Sequence, residues 1–121
     1  MWEGPEADLT LTANAQPALM TVSMAVIAVL KAEYGITVAN TAKFVGGHSL
    51  GEYSALAAAA TFSLSDTARL LRIRGNAMQS ATPVGVGAMA AILGLDFADV
   101  AAVSKEAAQG DVCQAANDNS S

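Results

Sequence analysis

A five-residue stretch near the middle of the chain carries the clearest chemical signal in the sequence. Residues 47–51 read Gly-His-Ser-Leu-Gly, the pattern of a nucleophile elbow, in which a serine lies on a tight turn between a strand and a helix with its Oγ exposed. Both glycines are expected where the backbone folds back on itself and a Cβ would clash. The pattern predicts acyl transfer through a covalent ester on Ser49; the alternative is a glycine-rich turn with an inert serine.

Two groups next to Ser49 bear on this chemistry. The backbone N–H of Leu50 opens the predicted helix, where it can stabilise an oxyanion together with the partial positive charge of the helix N-terminus. A serine nucleophile also needs a base. The single histidine, His48, directly precedes Ser49, and adjacent side chains in a tightly turned segment point in opposing directions. We therefore expect His48 to line the pocket or to hydrogen-bond locally, and the chain to lack the base.

Three further residues are candidate binding groups. In the helix predicted around 64–78, at about 100° per residue, Arg74 falls inside the apolar sector centred on Leu71. A guanidinium on a buried face needs a partner, and its planar fork fits a carboxylate. The sequence leaves two interpretations open, an anchor for a substrate carboxylate or an internal salt bridge. Gln16 and Asn117 are candidate buried amides, with capping or turn formation as the alternative.

Hydrophobic spacing and helix-end signals predict the elements that position these residues. Helices are predicted over about 17–34, 50–60, 64–80 and 97–109, and short strands over 42–46, 87–95 and 112–116. Pro17 is expected in a first helical turn, and Gly35 and Gly110 are expected to end helices. Ser63 with Asp66 resembles a capping box. The order from residue 85 onward is β-α-β.

Composition restricts the classes of partner. The 121 residues make at most one domain, are 53% hydrophobic and carry a formal net charge of −5. The basic residues form no dense cluster, which argues against nucleic acid. The apolar stretch 18–30 is shorter than the roughly 20 residues of a bilayer-spanning helix, so we predict a buried helix and no membrane partner. The N-terminus lacks signal-peptide features, which predicts a cytoplasmic protein. No metal site is predicted.

Several segments together resemble one known family. Residues 47–56, 74–79, 16–19, 83–91 and 116–119 are similar to malonyl-CoA:acyl carrier protein transacylases, a family related to the acyltransferase domains of polyketide synthases. The resemblance covers essentially the whole chain. It implies that Ser49 takes a malonyl group from malonyl-CoA, a substrate and not a cofactor, and that the thiol of acyl carrier protein receives it in fatty acid biosynthesis.

The resemblance also implies roles for the other candidate residues. Arg74 would pair with the malonyl carboxylate, and Leu50 would supply an oxyanion N–H. Gln16 and His48 would line the pocket. Asn117 matches an asparagine motif of the pocket region in the smaller subdomain, so we count it with the substrate-binding candidates.

The fold implied is α/β, and only part of it. Residues 1–83 would belong to an α/β-hydrolase-like large subdomain, and residues 84–121 would be the opening β-α-β of a ferredoxin-like small subdomain. Family members begin with a strand and turn that complete the oxyanion hole, and their catalytic histidine follows well beyond the segment matched here. We therefore expect an internal fragment with little activity alone. The alternatives are a serine esterase or lipase-like hydrolase, which does not need a buried Arg74, and a non-catalytic orphan fragment.

Overall fold

The structure is a computed structural model that describes residues 1 and 3–119. Within these residues it contains six helices and no β-strand. The chain divides into two compact units, Met1–Gly87 and Ala88–Ser121. The helices are α1 (Glu6–Leu9), α2 (Thr12–Tyr34), α3 (Val38–Thr41), α4 (Leu50–Ala58), α5 (Leu64–Ala81) and α6 (Phe97–Ala108).

The core of the first unit lies where α2 and α5 pack together, with α4 against both helices. Met20 of α2 and Leu71 of α5 are fully buried there. Gly75 is also buried, and a Cβ at this position would lie 2.7 Å from the Cα of Ala13 and 3.1 Å from the carbonyl oxygen of Thr12. Because only glycine permits this approach, Gly75 allows the start of α2 to pack closely against the middle of α5.

Helix α2 begins earlier than predicted. It starts at Thr12, so the expectation that Pro17 lies in the first turn is wrong. Pro17 lies in the second turn, where its missing N–H leaves the helix without one backbone hydrogen bond. The added turn places Gln16 inside the helix. The predicted end is confirmed, because Gly35 has a φ of 66° and its N–H bonds to the Lys31 carbonyl at 3.2 Å.

One face of α2 is apolar and exposed, so the prediction of a buried helix is wrong for the described residues. Its exposed residues include Leu19, Val22, Val26 and Val29. The helix has 23 residues, and its most apolar window has a mean hydropathy of 1.5, which is long and apolar enough to cross a membrane. The prediction of a helix too short to span a bilayer is based on the stretch 18–30 alone, and the observed helix is longer than that. Core helices of soluble proteins meet the same two criteria.

The three predicted strands are not formed. Residues 42–46, 87–95 and 112–116 lie outside helices, and none is paired with another strand among the residues described. A strand exists only through hydrogen bonds to a neighbour, and the described segments provide none. The α/β arrangement is therefore absent from what the structure describes, although its first unit carries the elbow segment discussed below.

The remaining helix ends follow local capping chemistry. The Oγ of Ser63 accepts a hydrogen bond from the Asp66 N–H at 3.0 Å, which confirms Ser63 as the N-cap of α5. The reciprocal half of the predicted capping box is not formed, because Asp66 Oδ2 accepts from Ser63 Oγ at 2.7 Å. The unpredicted helix α3 is held by a reciprocal box between Thr37 and Asn40. In the second unit α6 ends at Ala108, and its C-cap is Gln109, with a φ of 44°, one residue before the predicted glycine.

Candidate active site

The backbone at Ser49 turns sharply immediately before α4. Its φ of 55° and ψ of −116° lie in a region that favours glycine, which costs about 1–3 kcal/mol for another residue. The turn is closed by hydrogen bonds from the Gly51 N–H to the His48 carbonyl at 2.9 Å and from the Glu52 N–H to the Ser49 carbonyl at 3.3 Å. The strained turn projects the serine at the N-terminus of a helix, as the pattern of residues 47–51 predicts.

The two glycines of the pattern have different roles. A Cβ on Gly47 would overlap the carbonyl carbon and oxygen of Gly51, so position 47 requires glycine. A Cβ on Gly51 would meet no atom within 4 Å. The expectation of a clash is therefore right for Gly47 and wrong for Gly51, because Gly51 contributes the backbone that Gly47 approaches.

The guanidinium of Arg74 connects three helices at this turn. Its Nη2 donates a hydrogen bond to Ser49 Oγ at 2.9 Å, and its Nη1 donates to Gln16 Oε1 at 2.5 Å. Its central carbon lies 5.9 Å from the centre of the Tyr53 ring, within the range of a cation–π interaction. The start of α2, the elbow with α4, and α5 thus each contribute a group to one cluster.

No carboxylate neutralises Arg74 among the described residues. Its partners are an amide oxygen, a hydroxyl and an aromatic ring, and the one ion pair found in that part of the chain joins the exposed Arg69 and Asp66 at 3.7 Å. The side chain of Arg74 is half-buried. Of the two interpretations left open by the sequence, the internal salt bridge is not observed in the described structure. The guanidinium therefore lies beside the serine hydroxyl without a carboxylate counter-ion in the described residues.

The Gln16 amide is the buried polar group behind Arg74. Gln16 is 3% exposed, and its Nε2 donates to Thr12 Oγ1 at 2.9 Å and contacts Met78 Sδ at 3.3 Å. With its oxygen accepting from Arg74, the amide has a partner at both ends. Burial of this group is therefore compensated by hydrogen bonds, as burial of a polar side chain requires.

Sequence reasoning missed three members of the cluster. Each lies four residues from a predicted site residue, and a spacing of four places two side chains on the same face of a helix. That spacing was the available signal, and it applies to Thr12 with Gln16, Tyr53 with Ser49, and Met78 with Arg74.

The structure does not add the other candidates to the hydrogen-bonded cluster. His48 is exposed, and the hydrogen bond to Ser49 Oγ within the described residues comes from Arg74. Leu50 is half-buried and is the first residue of α4, so its N–H is one of the free donors of a helix N-terminus. Asn117 is exposed in the second unit. The cluster therefore has a hydroxyl, a cation and an amide, but no base.

Other parts of the described chain offer no competing chemistry. No group of three His, Cys, Asp or Glu residues that could hold a metal ion is found within it. A cavity of about 340 Å³ lies beside Asp8, Asn14 and Arg72, and its lining includes neither Ser49 nor Arg74. We therefore take the cluster around Ser49 as the candidate active site.

Comparison with known proteins gives a consistent set of relatives. The sequence profile described as acyl transferase domain matches residues 1–121. The chain is 47% identical over 118 residues to the malonyl CoA-acyl carrier protein transacylase of Escherichia coli strain K12, covering 98% of this chain and 37% of that protein. It is 49% identical over 120 residues to the transacylase of the same name from Bacillus subtilis strain 168, covering 98% of this chain and 36% of that protein.

Two solved structures are similar to this chain. One is a malonyl-transacylase in complex with the holo acyl carrier protein of a type II polyketide synthase, with a TM-score of 0.70 and 38% identity, over 91% of this chain and 34% of that chain. Another is the acyl-carrier-protein S-malonyltransferase of Burkholderia pseudomallei 1710b, with a TM-score of 0.66 and 42% identity, over 88% and 33% of the respective chains. This chain thus spans about a third of the length of the proteins it matches.

Proposed function

The chain belongs to the acyl transferase domain family, and from this membership we propose that it forms part of an enzyme that transfers a malonyl group from coenzyme A to acyl carrier protein, through an ester on Ser49, in fatty acid biosynthesis. The relatives described above carry that activity in their names. The single observation that carries the proposal is the contact of 2.9 Å between Arg74 Nη2 and Ser49 Oγ, at a guanidinium without a carboxylate partner in the described residues.

This contact fits an acyl group with a free acid end. In a malonyl ester of Ser49, three bonds separate Oγ from the carbon of the free carboxylate. A cation within hydrogen-bond distance of Oγ can reach that carboxylate, and the planar fork of arginine can bind it through two parallel hydrogen bonds. An acetyl group offers no such anion. The proposed role of Arg74 is therefore to select acyl groups with a terminal carboxylate.

The proposed reaction consists of two successive acyl transfers, first to Ser49 and then from Ser49 to acyl carrier protein. In the first half, Ser49 Oγ attacks the thioester carbonyl and gives its proton to a base. The O–C bond forms, the C–S bond breaks, and the base returns the proton to the sulfur, so that coenzyme A leaves as its thiol. In the second half, the thiol of acyl carrier protein gives its proton to the base and attacks the ester. A new C–S bond forms, the C–O bond breaks, and the proton returns to Ser49 Oγ. The Leu50 N–H is proposed to donate to the oxyanion formed in each half, assisted by the helix N-terminus.

The base is proposed to come from outside these 121 residues. The single histidine of the chain is His48, and the described structure brings no imidazole to Ser49 Oγ. Loss of a triad member lowers catalysis by several orders of magnitude, so we propose that this segment alone acylates slowly. The pocket roles of Gln16, His48 and Asn117 belong to the same proposal.

We further propose the finer architecture that the sequence predicts. Residues 1–83 would form part of an α/β-hydrolase-like subdomain, in which segment 42–46 is the strand before the elbow. Residues 84–121 would form the opening β-α-β of a ferredoxin-like subdomain. In this arrangement the apolar face of α2 would pack in the core. We also propose that the protein is cytoplasmic, as its sequence predicts. The net charge of −5 supports the absence of a nucleic-acid partner.

A chemical-rescue experiment tests the proposed function. The chain is incubated with malonyl-CoA, with or without added imidazole as an external base, and the acylated peptide is identified by mass spectrometry. We expect slow labelling of Ser49 that imidazole accelerates, and none in Ser49→Ala. Acetyl-CoA, the matched neutral donor, should label Ser49 less. Equal labelling by the two donors, or labelling away from Ser49, would contradict the proposal.

A further inference from the structure

The orientation of the Gln16 amide decides what Arg74 meets inside the protein. Gln16 is 3% exposed, so water cannot substitute for a lost partner. Its oxygen accepts from Arg74 Nη1, and its NH₂ group faces Thr12 Oγ1 at 2.9 Å and Met78 Sδ at 3.3 Å. The three contacts use the acceptor and both donor hydrogens of the amide.

Two of these partners act in one direction only. Arginine has donors and no acceptor, and a thioether sulfur is a weak acceptor and no donor. An amide turned by 180° would place its NH₂ group against the guanidinium and its oxygen against the sulfur. Donor would then face donor and acceptor would face acceptor, which is costly for an amide that is itself buried. The hydroxyl of Thr12 accepts the remaining hydrogen in the observed orientation.

We propose that Thr12 and Met78 are positioning residues, which fix the Gln16 amide so that its oxygen holds Arg74 beside Ser49. Neither residue touches Ser49 by hydrogen bond; each acts through Gln16. The inference rests on the proposed function in one respect, namely that the guanidinium receives the carboxylate of the acyl group.

Because Gln16 is neutral, its contact with Arg74 does not compete with the carboxylate of the acyl group. An amide oxygen orients the guanidinium through one hydrogen bond and leaves its positive charge for a ligand. A carboxylate at position 16 would form a bidentate ion pair with Arg74 and compete with the ligand for the same donors. The amide therefore separates the positioning of the cation from its neutralisation. Gln16→Glu should accordingly lower the affinity for an acyl group with a terminal carboxylate and spare a neutral one.

The first test needs no ligand. In the ¹⁵N-labelled chain, the side-chain NH₂ signals of Gln16 and the Nε–Hε signal of Arg74 report the amide and the guanidinium directly. Thr12→Val removes the hydroxyl at nearly constant volume, and Met78→Leu removes the sulfur. We expect each to shift or broaden both signals, and Thr12→Ser to restore them. Thr21→Val, which removes an exposed hydroxyl bonded to the Pro17 carbonyl on the same helix, is the matched control.

The second test measures affinity for malonyl-CoA and acetyl-CoA by calorimetry. Loss of one positioning hydrogen bond should weaken malonyl-CoA binding by about two- to tenfold in Thr12→Val and Met78→Leu and leave acetyl-CoA unchanged. Thr12→Ser should bind like the original chain.

The two tests fail separately. Unchanged Gln16 and Arg74 signals in both Thr12→Val and Met78→Leu would overturn the positioning role, whatever binds. Altered Gln16 and Arg74 signals in the two variants would uphold the positioning role. If the original chain nevertheless bound malonyl-CoA and acetyl-CoA equally, the proposed function would be contradicted. Circular dichroism of each variant shows whether it retains the helices of the original chain, and Thr12→Ser gives a conservative change at the same position.

Discussion

Arg74 donates a hydrogen bond of 2.9 Å to the hydroxyl of Ser49 across 25 residues of sequence, from the middle of α5 to the turn before α4. The contact depends on two local features, the positive φ of Ser49 and the close packing of α5 at Gly75. It places a nucleophile and a cation, each singled out by a separate sequence pattern, within hydrogen-bond distance of each other.

Replacement of Arg74 should remove discrimination between charged and neutral acyl groups. In Arg74→Ala we expect the affinity for malonyl-CoA to fall by about ten- to a hundredfold, the range for a hydrogen bond to a charged group, while acetyl-CoA binds as before. Calorimetric titration of both thioesters measures the ratio. Arg69→Ala removes an equal charge from an exposed position of α5 and should change neither affinity. A serine esterase for neutral esters would bind each thioester with the same affinity in Arg74→Ala as in the original chain.

The close approach at the elbow should make Gly47 intolerant of any side chain. Gly47→Ala places a Cβ on the backbone of Gly51, and we expect the free energy of unfolding to fall by about 1–3 kcal/mol as the turn opens. Gly51→Ala is the control, because its Cβ enters open space on a helix, where alanine is favoured over glycine by about 1 kcal/mol. Urea unfolding followed by circular dichroism compares them. Equal stability of the two variants would show that the close approach is not formed.

The packing of α2 on α5 should depend on Gly75. In Gly75→Ala the new Cβ would lie 2.7 Å from a backbone atom of Ala13, so the helices must separate. We expect a loss of about 1–3 kcal/mol in the free energy of unfolding and a changed Arg74 Nε–Hε signal. Asn76→Ala, at the exposed neighbouring position, should change neither. A Gly75→Ala variant as stable as the original chain would contradict the observed helix packing.

The end of α4 offers a stabilising substitution. Ala60 has a φ of 59°, a left-handed conformation that costs alanine about 1–2 kcal/mol and glycine almost nothing. Ala60→Gly should therefore raise the free energy of unfolding by about 0.5–1 kcal/mol. Ala59→Gly changes the preceding residue, whose φ is −79°, and should lower it. A destabilised Ala60→Gly would mean that α4 ends differently in solution.

Local signals predicted the helices well, because their causes lie within a few residues. The Ser63 hydroxyl and the Gly35 conformation fix helix ends through neighbours in sequence. The helical sector that singled out Arg74 on α5 likewise depends only on residue spacing. The start of α2 was missed because Pro17 suits a first turn, whereas tertiary packing at Gly75 favours an earlier one.

The unobserved strands and the membership of the cluster had causes at longer range. Segment 42–46 is extended in sequence preference, but pairing needs a second strand, which the sequence of the segment cannot specify. The partners of the Gln16 amide include Met78, 62 residues away, and no local pattern assigns the orientation of an amide. The choice between substrate anchor and salt bridge at Arg74 likewise required the positions of the acidic residues.

At position 49, fold stability favours glycine, whereas the proposed reaction requires serine. Glycine would occupy its φ and ψ without strain, so Ser49→Gly should unfold at a higher urea concentration than the original chain while losing every acylation. In related proteins that no longer need the reaction, replacement of this serine by glycine would therefore stabilise the fold. A serine that is kept at this position among related sequences would then indicate that the acyl transfer is still required.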